Sequence, residues 1–363
     1  MTAALSSRLA RLAEPLVSAP VFDFWASRLG GTLAWRRTLA RVVERHVESR
    51  DTVTLVLQPN RHFRGFRPGQ HVNVTVAVNG VQLTRSYSFS DAPRADGRVT
   101  ITVQHVPGGK VSEQLARRTA VGDILELGEA WGDMTADAVG ADRPLLLLAA
   151  GSGITPLRSL LRDRLAHPGD APVVLAYWAR TRADLAFLEE FRTLATRDRR
   201  FRFQPFLTQE TGLAAGELSG RVTAGALADL IPAGIAPVAC ACGPQGFVDS
   251  VSALAGPLAA RVFAESFTPM AVPAVADAGT VQVTLARSGR TLAVDAGQPL
   301  LAALEAEGVY PPSGCRRGIC HSCVCTKSAG VTEDVQSGVL DREDHATVRL
   351  CVNRARSDLT LDL

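Results

Sequence analysis

The chain has 363 residues, of which 46% are apolar and 21% charged, with a formal net charge of +3. That length suggests two to four domains, each large enough to bury its own core. The small charge, and the lack of a Lys/Arg stripe interleaved with aromatics, exclude nucleic acid as a partner, and the apolar stretch 145–150 is far too short to cross a bilayer.

Residues 1–35 read as a leader. Leu5, Leu9, Leu12 and Leu16 recur at helical spacing, and Phe22, Phe24, Trp25 and Trp35 add apolar bulk. No export signal is legible, so a cytoplasmic location is expected. Strand signals at 52–57, 71–78, 81–89, 99–104 and 123–127, separated by Gly and Pro turns, predict an antiparallel β-barrel domain over 36–140. From 141 to 268 the pattern changes to short apolar strands (145–149, 173–178, 201–207, 238–242, 261–264) alternating with helical stretches, which implies an α/β domain with a doubly wound parallel sheet. Residues 269–279, rich in Pro, Ala and Val, read as a linker. Beyond them a hairpin, a helix over 300–307 and a cysteine loop form a small α+β, ferredoxin-like module over 280–363.

That cysteine loop is the most specific signal in the chain. Cys315, Cys320, Cys323 and Cys351 follow C-x4-C-x2-C-x27-C, the thiolate spacing of a plant-type 2Fe-2S cluster. Gly314 and Gly318 allow the peptide to curl around a compact inorganic core. A zinc site would need a second close pair of ligands, which His321, Cys325 and His345 do not supply, and a Rieske centre would replace two thiolates with histidines. Seven cysteines, an odd number, without an export signal favour metal ligands and free thiols over disulfides.

Two further segments point to a nucleotide. In 145–156 an apolar strand runs into Gly151-Ser152-Gly153-Ile154-Thr155-Pro156, where glycines let backbone N–H groups approach a phosphate at a helix N-terminus. Pro156 suits the first helical turn but breaks the G-x-G-x-x-G fingerprint, so on spacing alone an ordinary turn fits equally well. Cys242-Gly243-Pro244-Gln245-Gly246-Phe247 stands at the carboxyl end of a later strand, where open α/β sheets bind ligands, although Cys242 also suits a buried small hydrophobe.

Arg85-Ser86-Tyr87-Ser88, then Gly151–Pro156, then Cys242-Gly243-Pro244, in this order and followed by the cysteine quartet, resemble the ferredoxin-NADP reductase superfamily. More narrowly, 36–363 is similar to its three-domain reductases of bacterial oxygenase and desaturase systems. The resemblance implies an FAD-binding barrel, an NAD(P)-binding domain and a β-grasp 2Fe-2S domain. It implies that Arg85 pairs with flavin phosphate, Tyr87 packs on the flavin and Ser88 bonds near the reactive ring nitrogen, with Ser86 on the same strand. His105, Val106 and the segment Gly109-Lys110-Val111-Ser112 match a second flavin segment, in which Ser112 also reads as a helix cap. Trp131-Gly132-Asp133-Met134 departs from the family, which more often has Phe at the last position. Glu265-Ser266-Phe267 resembles the end of the nucleotide domain that approaches the flavin; linker packing suits Phe267 as well.

Arg180 and Arg182, after the second strand of the sheet, lean towards a 2′-phosphate and hence NADPH, with NADH possible. The implied course is hydride transfer from a nicotinamide held by Gly151, Ser152, Gly153, Thr155, Pro156, Cys242, Gly243, Pro244 and Phe247 to a flavin beside Ser88. Ser88 and Cys242 are the expected catalytic residues. Single electrons then leave through the cluster to a separate protein, a desaturase or oxygenase component; the alternatives are a reductase of another soluble metalloprotein and a redox sensor without steady turnover. Arg316 and Arg317 either raise the cluster's potential or serve the acceptor. The leader either packs on its own protein or, as in reductases of membrane-bound desaturases, makes peripheral contact with a membrane-embedded acceptor.

Overall fold

The structure is a computed structural model that describes residues 19–28, 31–231, 234–267 and 279–363. The leader leucines and all but the last residue of the expected linker lie outside these residues. Two compact units emerge, one of residues up to Leu83 with Tyr87–Ser266, the other of Thr84–Ser86 with Phe267–Leu363.

After helix α1 (Ala19–Arg28), strands β1 (Thr38–Ser49), β2 (Thr52–Pro59), β3 (His71–Val78), β4 (Val81–Ser88), β5 (Val99–Gln104) and β6 (Ile124–Trp131) form a sheet in the order β4-β3-β6-β1-β2-β5. The β1–β2, β1–β6, β2–β5 and β3–β6 pairs are antiparallel, and an antiparallel bridge between Phe89 and Ile101 brings the edges together. Alternation along these strands turns Val42, Leu55, Leu57, Val72, Val74 and Ile101 into one interior. Helix α2 (Lys110–Glu113) continues as a π-helical turn, Gln114–Arg118, before β6, and the short α3 (Ala136–Val139) follows it. Near the leader, the Phe22 ring meets Trp35 edge-on at 5.3 Å, and the Trp35 amide donates to Asp23 at 2.7 Å.

The second sheet is parallel throughout, in the order β10-β9-β8-β7-β11-β12: β7 (Leu145–Ala150), β8 (Val173–Ala179), β9 (Phe201–Leu207), β10 (Leu218–Ser219), β11 (Val238–Gly243) and β12 (Arg261–Ser266). Helices α4 (Ile154–Ala166), α5 (Leu188–Arg197), α6 (Ala224–Leu230) and α7 (Gln245–Ala255) cover its faces. The continuous apolar run of β7 follows from this: Leu145 and Leu147 enter the core under one face, Leu146 and Leu148 the core under the other. Strand order reverses between β7 and β11, the crevice where such sheets take ligands.

In the other unit, β13 (Thr280–Leu285), β14 (Arg290–Asp295), β15 (Val324–Ala329), β18 (Ala346–Arg349) and β20 (Leu359–Leu361) form a mixed sheet, with helix α8 (Leu300–Ala306) between β14 and β15 in sequence. A small sheet of β16 (Thr332–Asp334), β17 (Leu340–Asp341) and β19 (Asn353–Ala355) accompanies it. Leu300, Leu301 and Leu304 of α8 pack on Val283, Val294 and Leu361, so the helix seals a core that the short strands alone could not.

Candidate active site

The turn after β7 and the end of β11 interlock. A Cβ placed on Gly153 would lie 2.0 Å from the Cys242 carbonyl oxygen, and one on Gly243 would lie 2.9 Å from the Ala150 Cβ. Only glycines let these two peptides approach so closely. Gly151 has φ +55°, and its carbonyl accepts from the buried Tyr177 hydroxyl at 3.0 Å. That hydroxyl also accepts from the Ala186 amide, and burial pushes its pKa up. Thr155 Oγ1 donates to the Ser152 carbonyl at 3.0 Å, and Pro156 lies buried in the first turn of α4. Cys242 is fully buried, Pro244 caps α7, and Phe247 tilts against Trp178, which stacks on Phe206.

Within the same compact unit a residue unforeseen in the sequence links the barrel to the nucleotide sheet. His71, 4% exposed, has its Nδ1 2.9 Å from Ser88 Oγ and its Nε2 2.7 Å from the Glu265 carboxylate. Trp131 lies against the imidazole with ring centroids 4.8 Å apart, and its Nε1 is buried without a partner. Glu265 is the register neighbour of Cys242 on adjacent parallel strands. Ser88, His71, Glu265 and Cys242 thus converge from β4, β3, β12 and β11, and Trp131 Nε1 is an orphaned donor that a bound polar group would satisfy. No sequence signal marks His71, because its partners stand 17 and 194 residues away.

On the barrel, Tyr87 packs at the margin of the barrel core and Arg85 Nη1 donates to the Thr84 carbonyl. Val106 is exposed, and His105 Nε2 pairs with Glu113 at 2.7 Å. Ser112 is not the helix cap. Gly109 occupies that position without a side-chain bond, while the Ser112 hydroxyl accepts from the Val106 amide and donates to the Gly109 carbonyl at 3.1 Å, closing the turn. Lys110 and Val111 open the helix, Val111 turned into the barrel core.

The two arginines after β8 have different fates. Arg182 donates through Nε and Nη2 to Glu217 at 2.7 and 2.6 Å and to the Gly212 carbonyl, so its guanidinium is committed to holding a loop. Arg180 is exposed.

In the second unit the four cysteines lie as two pairs. The thiol of Cys315 faces Cys320 and that of Cys323 faces Cys351; in each pair the sulfur–sulfur hydrogen bond holds one thiol low (Cys320, Cys323) and pushes the other up (Cys315, Cys351). The Cys315 amide donates to Cys320 Sγ at 3.2 Å and the Arg317 amide to Cys315 Sγ at 3.4 Å. Among the described residues no three His, Cys, Asp or Glu side chains converge on one metal ion. Four thiolates gathered in one place are the donor set that would hold a 2Fe-2S cluster, which would supply one-electron chemistry. Arg316 and His321 at φ +56° and Gly318 at φ +79° bend the loop. Arg316 is held by Glu305 of α8, which offsets its charge beside the loop. Cys325 points into the domain core, where burial pushes it up to about 12, outside the ligand set.

Three family models match in succession: an oxidoreductase FAD-binding domain over 39–135, an oxidoreductase NAD-binding domain over 147–253 and a 2Fe-2S iron-sulfur cluster binding domain over 283–356. The chain is 32% identical to an NADPH oxidoreductase of Mycobacterium tuberculosis (strain ATCC 25618 / H37Rv), over 99% of this chain and 92% of that one. The chain belongs to the three-domain flavin and 2Fe-2S reductases of the ferredoxin-NADP reductase superfamily. The ferredoxin reductase component of a 3-ketosteroid-9-alpha-monooxygenase from Rhodococcus rhodochrous is 33% identical, over 85% of this chain and 90% of its own. Phthalate dioxygenase reductase shares the fold with a TM-score of 0.61 at 24% identity, over 90% of this chain and 97% of that one. As a member of this family the protein is an NAD(P)H-dependent flavin and iron-sulfur oxidoreductase, whose cofactors are FAD, a pyridine nucleotide and a 2Fe-2S cluster. Among the described residues no helix is long and apolar enough to cross a membrane.

Proposed function

We propose that the protein takes a hydride from NADPH, or less readily NADH, and delivers electrons one at a time to a separate oxygenase or desaturase component. When bound, the flavin would supply two-electron chemistry and the cluster one-electron chemistry, while the protein's own residues supply orientation, exclusion of water and a route for protons. The observation that carries the reading is the buried line Ser88–His71–Glu265, which ends beside Cys242.

In this reading Arg85, Ser86, Tyr87 and Ser88, with His105, Val106 and the turn Gly109–Ser112, hold the FAD. The interlocked Gly151–Gly153 and Cys242–Gly243 peptides hold the nucleotide, with Thr155, Pro156, Pro244 and Phe247 fixing their helices, and Cys242 faces the nicotinamide. Ser88 donates towards the reacting edge of the flavin, and His71 holds the proton between that hydroxyl and Glu265. Arg180 is left to meet a 2′-phosphate, since Arg182 is bound to Glu217. An oxygenase is the favoured acceptor because relatives of similar length are reductase components of monooxygenases, the glycine betaine monooxygenase of Pseudomonas aeruginosa (strain UCBPP-PA14) among them. Domain limits of 36–140, 141–268 and 280–363 accompany the proposal.

The test is an anaerobic titration of the purified holoenzyme with NADPH and with NADH, read by bleaching of the flavin and by the electron-spin resonance of the reduced cluster. His71→Gln should retain flavin yet slow flavin reoxidation about a hundredfold, the usual scale of general acid–base assistance, and enlarge the solvent isotope effect. Flavin turnover in His71→Gln equal to wild type would remove His71 from the proton route.

A further inference from the structure

Where the barrel meets the nucleotide sheet, the first compact unit buries a cation that neither cofactor reading uses. Arg158, in the second turn of α4, is 7% exposed. Its Nε and Nη2 donate to the Glu190 carboxylate at 3.0 and 2.8 Å, its Nη1 donates to the Ser90 carbonyl, and its guanidinium lies 4.3 Å from the Phe187 ring centre. Phe187 itself takes the left-handed conformation, at φ +60°, directly before α5. The neighbouring residues reinforce the clamp. Ser159 Oγ donates to the Asp91 carbonyl at 2.7 Å, and Arg162, one turn further on, pairs with the Asp91 carboxylate at 3.0 Å.

Burying a guanidinium carries a desolvation cost that an apolar residue of similar volume would avoid, so cohesion alone is a poor reason for Arg158. What the charge adds is direction. Glu190 takes two N–H vectors and so orients the fork, and the third, on Nη1, fixes the helix against the Ser90 carbonyl. Ser90 stands two residues beyond Ser88, and Arg158 five residues beyond Gly153, along a helix that is rigid over that distance.

The geometry points to Arg158 as a positioning residue that sets the nicotinamide end of the nucleotide site against the Ser88 edge of the flavin site. This rests on the placement of flavin and nucleotide proposed above. Hydride transfer needs its reacting atoms about 3–3.5 Å apart, and a displacement of about 1 Å costs about a hundredfold in rate. A backbone carbonyl gripped from the opposing domain is well placed to hold that gap.

The experiment uses the full-length holoenzyme carrying Arg158→Met, Arg158→Lys or Glu190→Gln. Stopped-flow flavin bleaching, the long-wavelength charge-transfer absorbance, nucleotide Kd, melting temperature and dithionite-driven electron delivery are read on each. Arg158→Met is expected to slow flavin reduction about a hundredfold, to weaken the charge-transfer band and to raise the primary deuterium isotope effect. Nucleotide Kd should change by less than about threefold, and dithionite-driven delivery should match wild type. Arg158→Lys should recover part of the rate, and Glu190→Gln, which keeps the Ser90 bond, should fall between. Flavin reduction within twofold of wild type in Arg158→Met, or rate losses across the three variants that follow melting temperature alone, would overturn the inference. If Arg158→Met does not fold, Arg158→Lys decides: a normal rate and charge-transfer band, in a side chain whose single ammonium lacks the fork that spans Glu190 and the Ser90 carbonyl, refute the clamp. A wild-type flavin that neither nucleotide reduces would instead overturn the underlying placement, and the inference with it.

Discussion

Gly153→Ala tests the interlock between the two nucleotide segments directly. The new Cβ would stand 2.0 Å from the Cys242 carbonyl oxygen, 2.3 Å from its carbon and 2.7 Å from the Gly243 nitrogen, where contacts below 3.0 Å essentially do not occur. All three obstacles are backbone atoms, so no rotamer change relieves them, and the segments must part by about 1 Å, the difference between the observed 2.0 and the tolerated 3.0 Å. Overpacking of this kind costs about 1–3 kcal/mol of stability, and a 1 Å shift between hydride donor and acceptor costs about a hundredfold in rate. Stopped-flow flavin reduction at saturating NADPH should therefore fall by about that factor, with flavin content unchanged. Gly151→Ala is the control. Unlike Gly153, it sits at positive φ, and its nearest neighbour, Gln104 Oε1, is 4.0 Å away, so strain replaces collision and the loss should appear in nucleotide affinity. A Gly153→Ala enzyme with a saturating rate within twofold of wild type would refute the argument.

Three further outcomes are expected. Replacing Cys315, Cys320, Cys323 or Cys351 by Ser should abolish the cluster's visible and spin-resonance signals while NADPH-dependent ferricyanide reduction persists, whereas Cys325→Ser, placed in the domain core, should keep the cluster; iron and sulfide analysis checks both. Arg180→Ala should lower kcat/KM for NADPH about ten- to a hundredfold, the scale of a lost charge-assisted bond, with NADH little affected, and Arg182→Ala should leave the NADPH/NADH ratio unchanged. The Arg182 hydrogen bond holds Glu217 at about 2 against an ordinary 4.5. A depressed carboxylate stabilises the fold fully above its unfolded pKa and loses that contribution as pH falls from about 4.5 to 2. Circular-dichroism melting against pH should show Glu217→Gln less stable at neutral pH and flatter across that acid window.

Much of this molecule was legible in its residue order because its signals are local. The leucine run of β7, the glycines after it and the loop of three cysteines are each written in one short stretch of chain, and each lies in the expected element. What escaped depends on convergence. His71 looks like any strand histidine until β12 brings Glu265 to its ring. Arg182 reads as a phosphate ligand until a loop folds Glu217 against it, and the same limit applies to Arg316, whose partner Glu305 belongs to a helix read only for its apolar face. Ser112 carries the right residue type for a cap, yet the helix starts three residues earlier, with Gly109 at the cap.

The pairing of Cys323 with Cys351 bears on how the C-terminal module holds together. Three ligands share one loop, but the fourth comes from the segment after β18, so a metal core would staple two stretches that also meet through the Leu350 amide on the Cys323 carbonyl and the Arg349 bond to the Gly318 carbonyl. A chain without the cluster would lack that staple, and its C-terminal module would be held by the apolar core and hydrogen bonds such as these.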